Sequence, residues 1–170
     1  MTATVPKTSS GGLTLAEARA MIDRGVQLAS ELKLAGAIAV VDAAGNVVSI
    51  SRMEGAPPSS AGVARAKAFL AASMQQPTMT FSDRMDQHPV RFAAYSNILR
   101  DAAFPGAGGV PIMRDRTTCV GGLATGPGIP PVTEIPGVHP SKLMAGRFRA
   151  NAEDLVVCHA VQVPYRSQHG

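Results

Sequence analysis

Three charged residues set among small ones are the clearest chemical material in the chain. Arg52 and Glu54 stand two apart at the end of the apolar run Val47 to Arg52, and period-two geometry puts them on one side of a strand. Lys67 lies within Ala61 to Met74, a stretch that is mostly alanine. A lysine amid alanines on a helix that reads as buried is costly unless it is paired or used. Arg52 can grip a carboxylate in bidentate fashion, with Lys67 adding a second positive charge. Lys67 can also act as a base if desolvation disfavours its charged form. The same three residues fit a purely structural reading, in which Glu54 pairs with Arg52 or Lys67.

Gly108 and Gly109 open the segment Gly108-Gly109-Val110-Pro111-Ile112. Without side chains they let a ligand or a neighbouring backbone approach, and their amides can face an anion. A bulge at a strand start explains them equally well. His139, in Gly137-Val138-His139-Pro140-Ser141-Lys142, is an acid/base or ligand candidate on a proline-stiffened loop. His88, before Pro89, is a second loop histidine and a ligand-binding candidate, although each of the two also reads as an ordinary surface residue. His159 sits among apolar neighbours and reads as a core or interface residue, and His169 belongs to the tail. Asp83, Asp86 and His88 match no metal-ligand spacing, and Cys119 and Cys158 form no CxxC pattern, so no metal site is expected. Buried, reduced thiols are the reading for both cysteines.

The elements that must position these groups follow from periodicity. Thr14-Leu15-Ala16-Glu17 is a capping box, and Leu15, Ala18, Ile22, Val26, Ala29 and Leu32 recur at helical spacing. A helix is expected from Leu15 to about Lys33, with Gly36 marking the exit. Ala37 to Asp42 and Val47 to Arg52 read as a hairpin, with Gly45-Asn46 supplying the positive φ angles of its turn. Pro57 and Pro58 stop the second strand, and Ser59 or Ser60 caps the alanine-rich helix. Thr80 to Gln87 and Pro89 to Leu99 suggest two short helices. Gly108 to Met113 and Thr118 to Ala124 form a second hairpin. Five prolines between Gly126 and Pro140 exclude a regular helix or inner strand there, leaving an extended loop or arm. Leu155 to Val163 is β-rich in composition, yet Asn151 and Glu153-Asp154 suit a helix start.

With 170 residues the chain suits one domain, residues 13–163, between a polar arm (1–12) and a tail (164–170). It is 45% hydrophobic but only 4% aromatic, so its core must be Ala, Val, Leu, Ile and Met. The formal charge of +4 is mild and scattered, which argues against nucleic acid as a partner. No stretch nears the roughly 20 apolar residues that span a bilayer, and no signal-peptide core opens the chain, so a cytoplasmic protein is expected.

The run from Leu13 to Ala72, with Ser51-Arg52-Met53-Glu54-Gly55-Ala56-Pro57 and Lys67-Ala68, followed by Phe104-Pro105-Gly106-Ala107-Gly108-Gly109-Val110-Pro111-Ile112, resembles the GlcG/HbpS family. The resemblance implies an α+β fold: an α-β-α sandwich, profilin-like, on a mainly antiparallel sheet of about five strands. It also favours a closing C-terminal helix and self-assembly from dimer to octamer. Relatives are linked to haem binding, to cobalamin- and diol-utilisation operons and to glycolate utilisation. Two departures stand out: the longer Gly126 to Ala150 segment, and the absence of any histidine before His88. An early axial histidine has no counterpart here, which weakens haem as the specific ligand.

The leading expectation is a homo-oligomeric protein that binds a small organic ligand near Arg52, Glu54, Lys67, Gly108 and Gly109. Haem or another planar carboxylate-bearing molecule would suit two cations beside an apolar wall. One rival is a cofactor-independent lyase or isomerase of a small aromatic or hydroxy acid, with Lys67 or His139 as base. Another is a scaffold whose alanine-rich helix is interface alone.

Overall fold

A computed structural model describes residues 12–99 and 103–126. Helix α1 (Leu15–Glu31) begins with the expected capping box, the Thr14 hydroxyl accepting from the Glu17 amide while the Glu17 carboxylate accepts from the Thr14 amide. Strands β1 (Ala37–Asp42) and β2 (Val47–Arg52) follow as a hairpin. Only Gly45 takes positive φ in that turn, at +86°; Asn46 does not. The Asp42 carboxylate does the rest, accepting from the Ala44 and Asn46 amides at 2.9 Å each. An Asx-type turn therefore needs one left-handed residue where the Gly45-Asn46 pair suggested two.

Helix α2 (Ser60–Met74) starts without the expected capping bond. Ser59 is in helical conformation and makes no side-chain cap, while the buried Ser60 hydroxyl donates to the Pro57 carbonyl. Two short helices, α3 (Met79–Gln87) and α4 (Pro89–Ile98), lead to β3 (Gly109–Met113) and β4 (Cys119–Thr125). The sheet is antiparallel in the order β2-β1-β4-β3, so both hairpins meet through β1 and β4. It has four strands among the described residues, where about five were expected.

The residues of β1 divide the interior in two. Ile38 and Val40 face α1 with Ala18, Ile22, Ala29 and Leu123. Ala37, Ala39 and Val41 face α2, where Ala64, Ala68 and Ala72 meet Ala124. This alternation gives α1, sheet and α2 as three layers, an α+β sandwich. The α2 layer is made of methyl groups, so the helix lies close enough that β4 must carry glycine. A Cβ on Gly122 would run into the Ala68 carbonyl. None of the helices among the described residues is long and apolar enough to cross a membrane.

Candidate functional site

Lys67 lies on the side of α2 that turns toward β3, with its carbonyl oxygen 3.2 Å from where a Cβ on Gly109 would stand. It is 4% exposed, the charged residue that α2 buries. Its ammonium sits 5.9 Å from the centre of the Phe104 ring, within cation–π range. Phe104 itself is 46% exposed, so the ring forms the outer wall of the lysine's surroundings. Between them the chain bends at Gly106, whose φ of +135° few other residues adopt. A side chain there would begin 3.8 Å from Lys67 Cε.

Thr78 fixes this bend, a role that the sequence did not suggest. Its hydroxyl donates to the Gly106 carbonyl, and its amide donates to the Gly109 carbonyl at 2.9 Å. The Gly108 carbonyl accepts from the Thr125 amide at 2.8 Å. Gly108 and Gly109 are both buried, and their carbonyls tie the loop to α3 and to β4. The structure thus brings together Lys67, Gly108 and Gly109 from the expected set, and adds Thr78, Phe104 and Gly106.

Arg52 is placed elsewhere. It ends β2, at the sheet edge opposite β3, about three strand spacings or roughly 14 Å away. Its guanidinium donates to the Ala56 carbonyl at 2.7 Å, closing the bend between β2 and α2. Glu54 is exposed in that bend, beyond the end of β2, so strand alternation does not govern its direction. A joint Arg52–Lys67 grip on one carboxylate is not assembled within this chain.

His88 joins α3 to α4, with its backbone amide donating to the Arg84 and Met85 carbonyls. It lines a cavity of about 200 Å³ at the C-terminal end of α2, shared with Met74, Phe81, Arg84, Arg91, Phe92 and Tyr95. The Arg84 guanidinium lies 5.8 Å from the centre of the Phe81 ring, and the Tyr95 hydroxyl donates to Met74 Sδ at 3.0 Å. One sequence signal pointed here. The chain has 5 Phe and 2 Tyr, and Phe81, Phe92, Tyr95 and Phe104 fall within a single short stretch.

Other candidates contribute less. His139, His159, His169, Cys158 and nearly all of the proline-rich segment lie outside the described residues. Cys119 is half-buried and, among the described residues, unpaired with another cysteine, its thiol 3.3 Å from the Gly121 carbonyl. No group of three or more His, Cys, Asp or Glu side chains able to hold a metal occurs among the described residues.

Comparison with known proteins places this geometry in a family. No curated protein sequence matches the chain significantly. Among solved structures, a double mutant of HbpS from Streptomyces reticuli is 25% identical, with a TM-score of 0.67, covering 96% of this chain and 95% of that one. The Klebsiella pneumoniae protein ORFY is 22% identical with a TM-score of 0.64, over 94% of this chain and 96% of its own. A haem complex of PduOC is 18% identical with a TM-score of 0.65, over 94% of this chain and 99% of that chain. These last two share the fold. Residues 13–128 match the family described as haem degrading protein HbpS-like, and the chain belongs to that family.

Proposed function

We propose that this protein binds a small planar molecule bearing carboxylates, with haem as the leading candidate, beside Lys67 and Phe104. The observation that carries the reading is a lysine only 4% exposed, held under a half-exposed aromatic ring at the bend of a glycine-rich loop. Membership of the HbpS-like family and the haem complex of PduOC, a protein of the same fold, support haem over other planar acids.

The residues fit haem through its edge and its face. Lys67 suits a propionate, since an ammonium in a largely desolvated site attracts a carboxylate more strongly than one in water. The exposed face of Phe104 suits stacking against a macrocycle. Gly106 presents no side chain to obstruct the approach. His88 stands at the far end of α3 from Thr78, about 15 Å along the helix axis, and is not the group beside Lys67. When bound, haem would supply a redox-active iron, and Lys67 and Phe104 would hold and orient it. Self-association into a closed oligomer accompanies this reading, and the exposed Val90 and Ile98 on α4 are apolar surface for it.

An absorbance titration with hemin tests the proposal. A saturable Soret change at a fixed ratio of haem to chain, weakened by Lys67→Met and by Phe104→Ala, is expected. A change that never saturates, or one that both variants leave intact, rejects it.

A further inference from the structure

The cavity at the end of α2 differs from the Lys67 site in size and in chemistry. Its walls carry three aromatic rings (Phe81, Phe92, Tyr95), the Met74 thioether and three basic groups, Arg84, His88 and Arg91. None of these lining residues is acidic. An apolar space bordered by two guanidinium groups selects an apolar body with a negative end. At about 200 Å³ it falls below the roughly 300–1,000 Å³ of sites for drug-sized ligands, so it has room for one ring and not for a tetrapyrrole.

We propose that this cavity is a second binding site, specific for a single-ring aromatic carboxylate. Arg84 and Arg91 take the carboxylate, and guanidinium geometry favours a two-pronged grip. Stacking on Phe81 restrains Arg84 and lowers the entropy lost when it grips a ligand. Phe92 and Tyr95 receive the ring, preferring offset or edge-on contacts. Among the described residues the Tyr95 hydroxyl donates to a thioether, a weak acceptor, so an oxygen substituent on the ligand ring would be a better partner. The two sites are independent: Lys67 stands seven residues before Met74 on α2, about 10 Å along its axis.

Calorimetric titration of the full chain with sodium benzoate, 4-hydroxybenzoate, cyclohexanecarboxylate and benzyl alcohol tests this. It is combined with NMR of 13C-methyl methionine, with the Met74 signal assigned through Met74→Leu. Benzoate should saturate one site per chain and shift the Met74 methyl. 4-Hydroxybenzoate should bind more tightly, and cyclohexanecarboxylate and benzyl alcohol more weakly. Arg84→Gln and Arg91→Gln, both at exposed positions, should each weaken benzoate roughly tenfold, the scale of one hydrogen bond to a charged group. Lys67→Met should leave benzoate binding unchanged and still lose hemin, which separates the two sites. Absence of saturation by roughly 10 mM benzoate, an unmoved Met74 methyl, or benzoate binding undiminished in the two arginine variants overturns the proposal.

Discussion

Gly122 in β4 lies directly under the Ala68 carbonyl of α2, so close that a methyl group on the strand would occupy the same space as the helix backbone. The contact is backbone against backbone, and neither partner can move aside by changing rotamer. Gly122→Ala should therefore cost stability at the upper end of overpacking effects, about 3 kcal/mol or more. Chemical denaturation measures it, and a loss below about 1 kcal/mol would mean that the layers can separate.

Gly45 offers a contrasting case. A Cβ there would stand 2.4–2.6 Å from the Phe69 ring, and its φ of +86° adds backbone strain. Here the obstacle is a side chain. Gly45→Ala should destabilise by about 1–3 kcal/mol, and by clearly less in a Phe69→Ala background. Equal losses in both backgrounds would assign the whole cost to the backbone.

Glu17 and Arg114 join the start of α1 to the second hairpin through an ion pair of 2.6 Å. The hydrogen bond from Arg114, and then those from the Thr14 amide and hydroxyl, lower the Glu17 carboxyl from 4.5 to about 2. Asp115, accepting from the Thr117 and Thr118 backbone, is likewise held at about 2. A carboxyl with a lowered folded-state value contributes stability above its unfolded value, and that stability is lost as pH falls through the folded one. Thermal midpoints should thus decline between about pH 4.5 and 2. Arg114→Gln should flatten part of that decline. Both side chains of the pair are more than a third exposed, so the difference should be small and should shrink further in salt. An unchanged profile in Arg114→Gln would show that the pair does not persist in solution.

Thr125 is fully buried, and its hydroxyl meets no hydrogen-bond partner among the described residues. A buried, unpartnered hydroxyl opposes folding, while a methyl of the same shape does not. Thr125→Val should be neutral or stabilising by about 1 kcal/mol in denaturant unfolding. A destabilisation of that size would reveal a partner for the hydroxyl.

Local elements were legible because their signals are local. The Thr14–Glu17 box, the Ala37–Asp42 and Val47–Arg52 strands and the proline-bounded α3 and α4 all declare themselves through spacing and punctuation. The order β2-β1-β4-β3 did not, because nothing in β1 or β4 names its partner; that pairing rests on which faces the two hairpins must hide. The candidate site shows the same division. Lys67 stood out because a charge among alanines is a local anomaly. Thr78 did not, because its importance comes from Gly106 and Gly109, about thirty residues downstream. Arg52 invited pairing with Lys67 by proximity in sequence, yet Arg52 ends β2 at one edge of the sheet while Lys67, midway along α2, lies toward β3 at the other.

The alanine layer of α2 has one more consequence. A helix seated within a methyl's breadth of the sheet leaves no gallery between the two in which a guest could lodge. On this face a guest can be met only at the perimeter, where Phe104 borders the proposed Lys67 site and Phe92 the proposed second one.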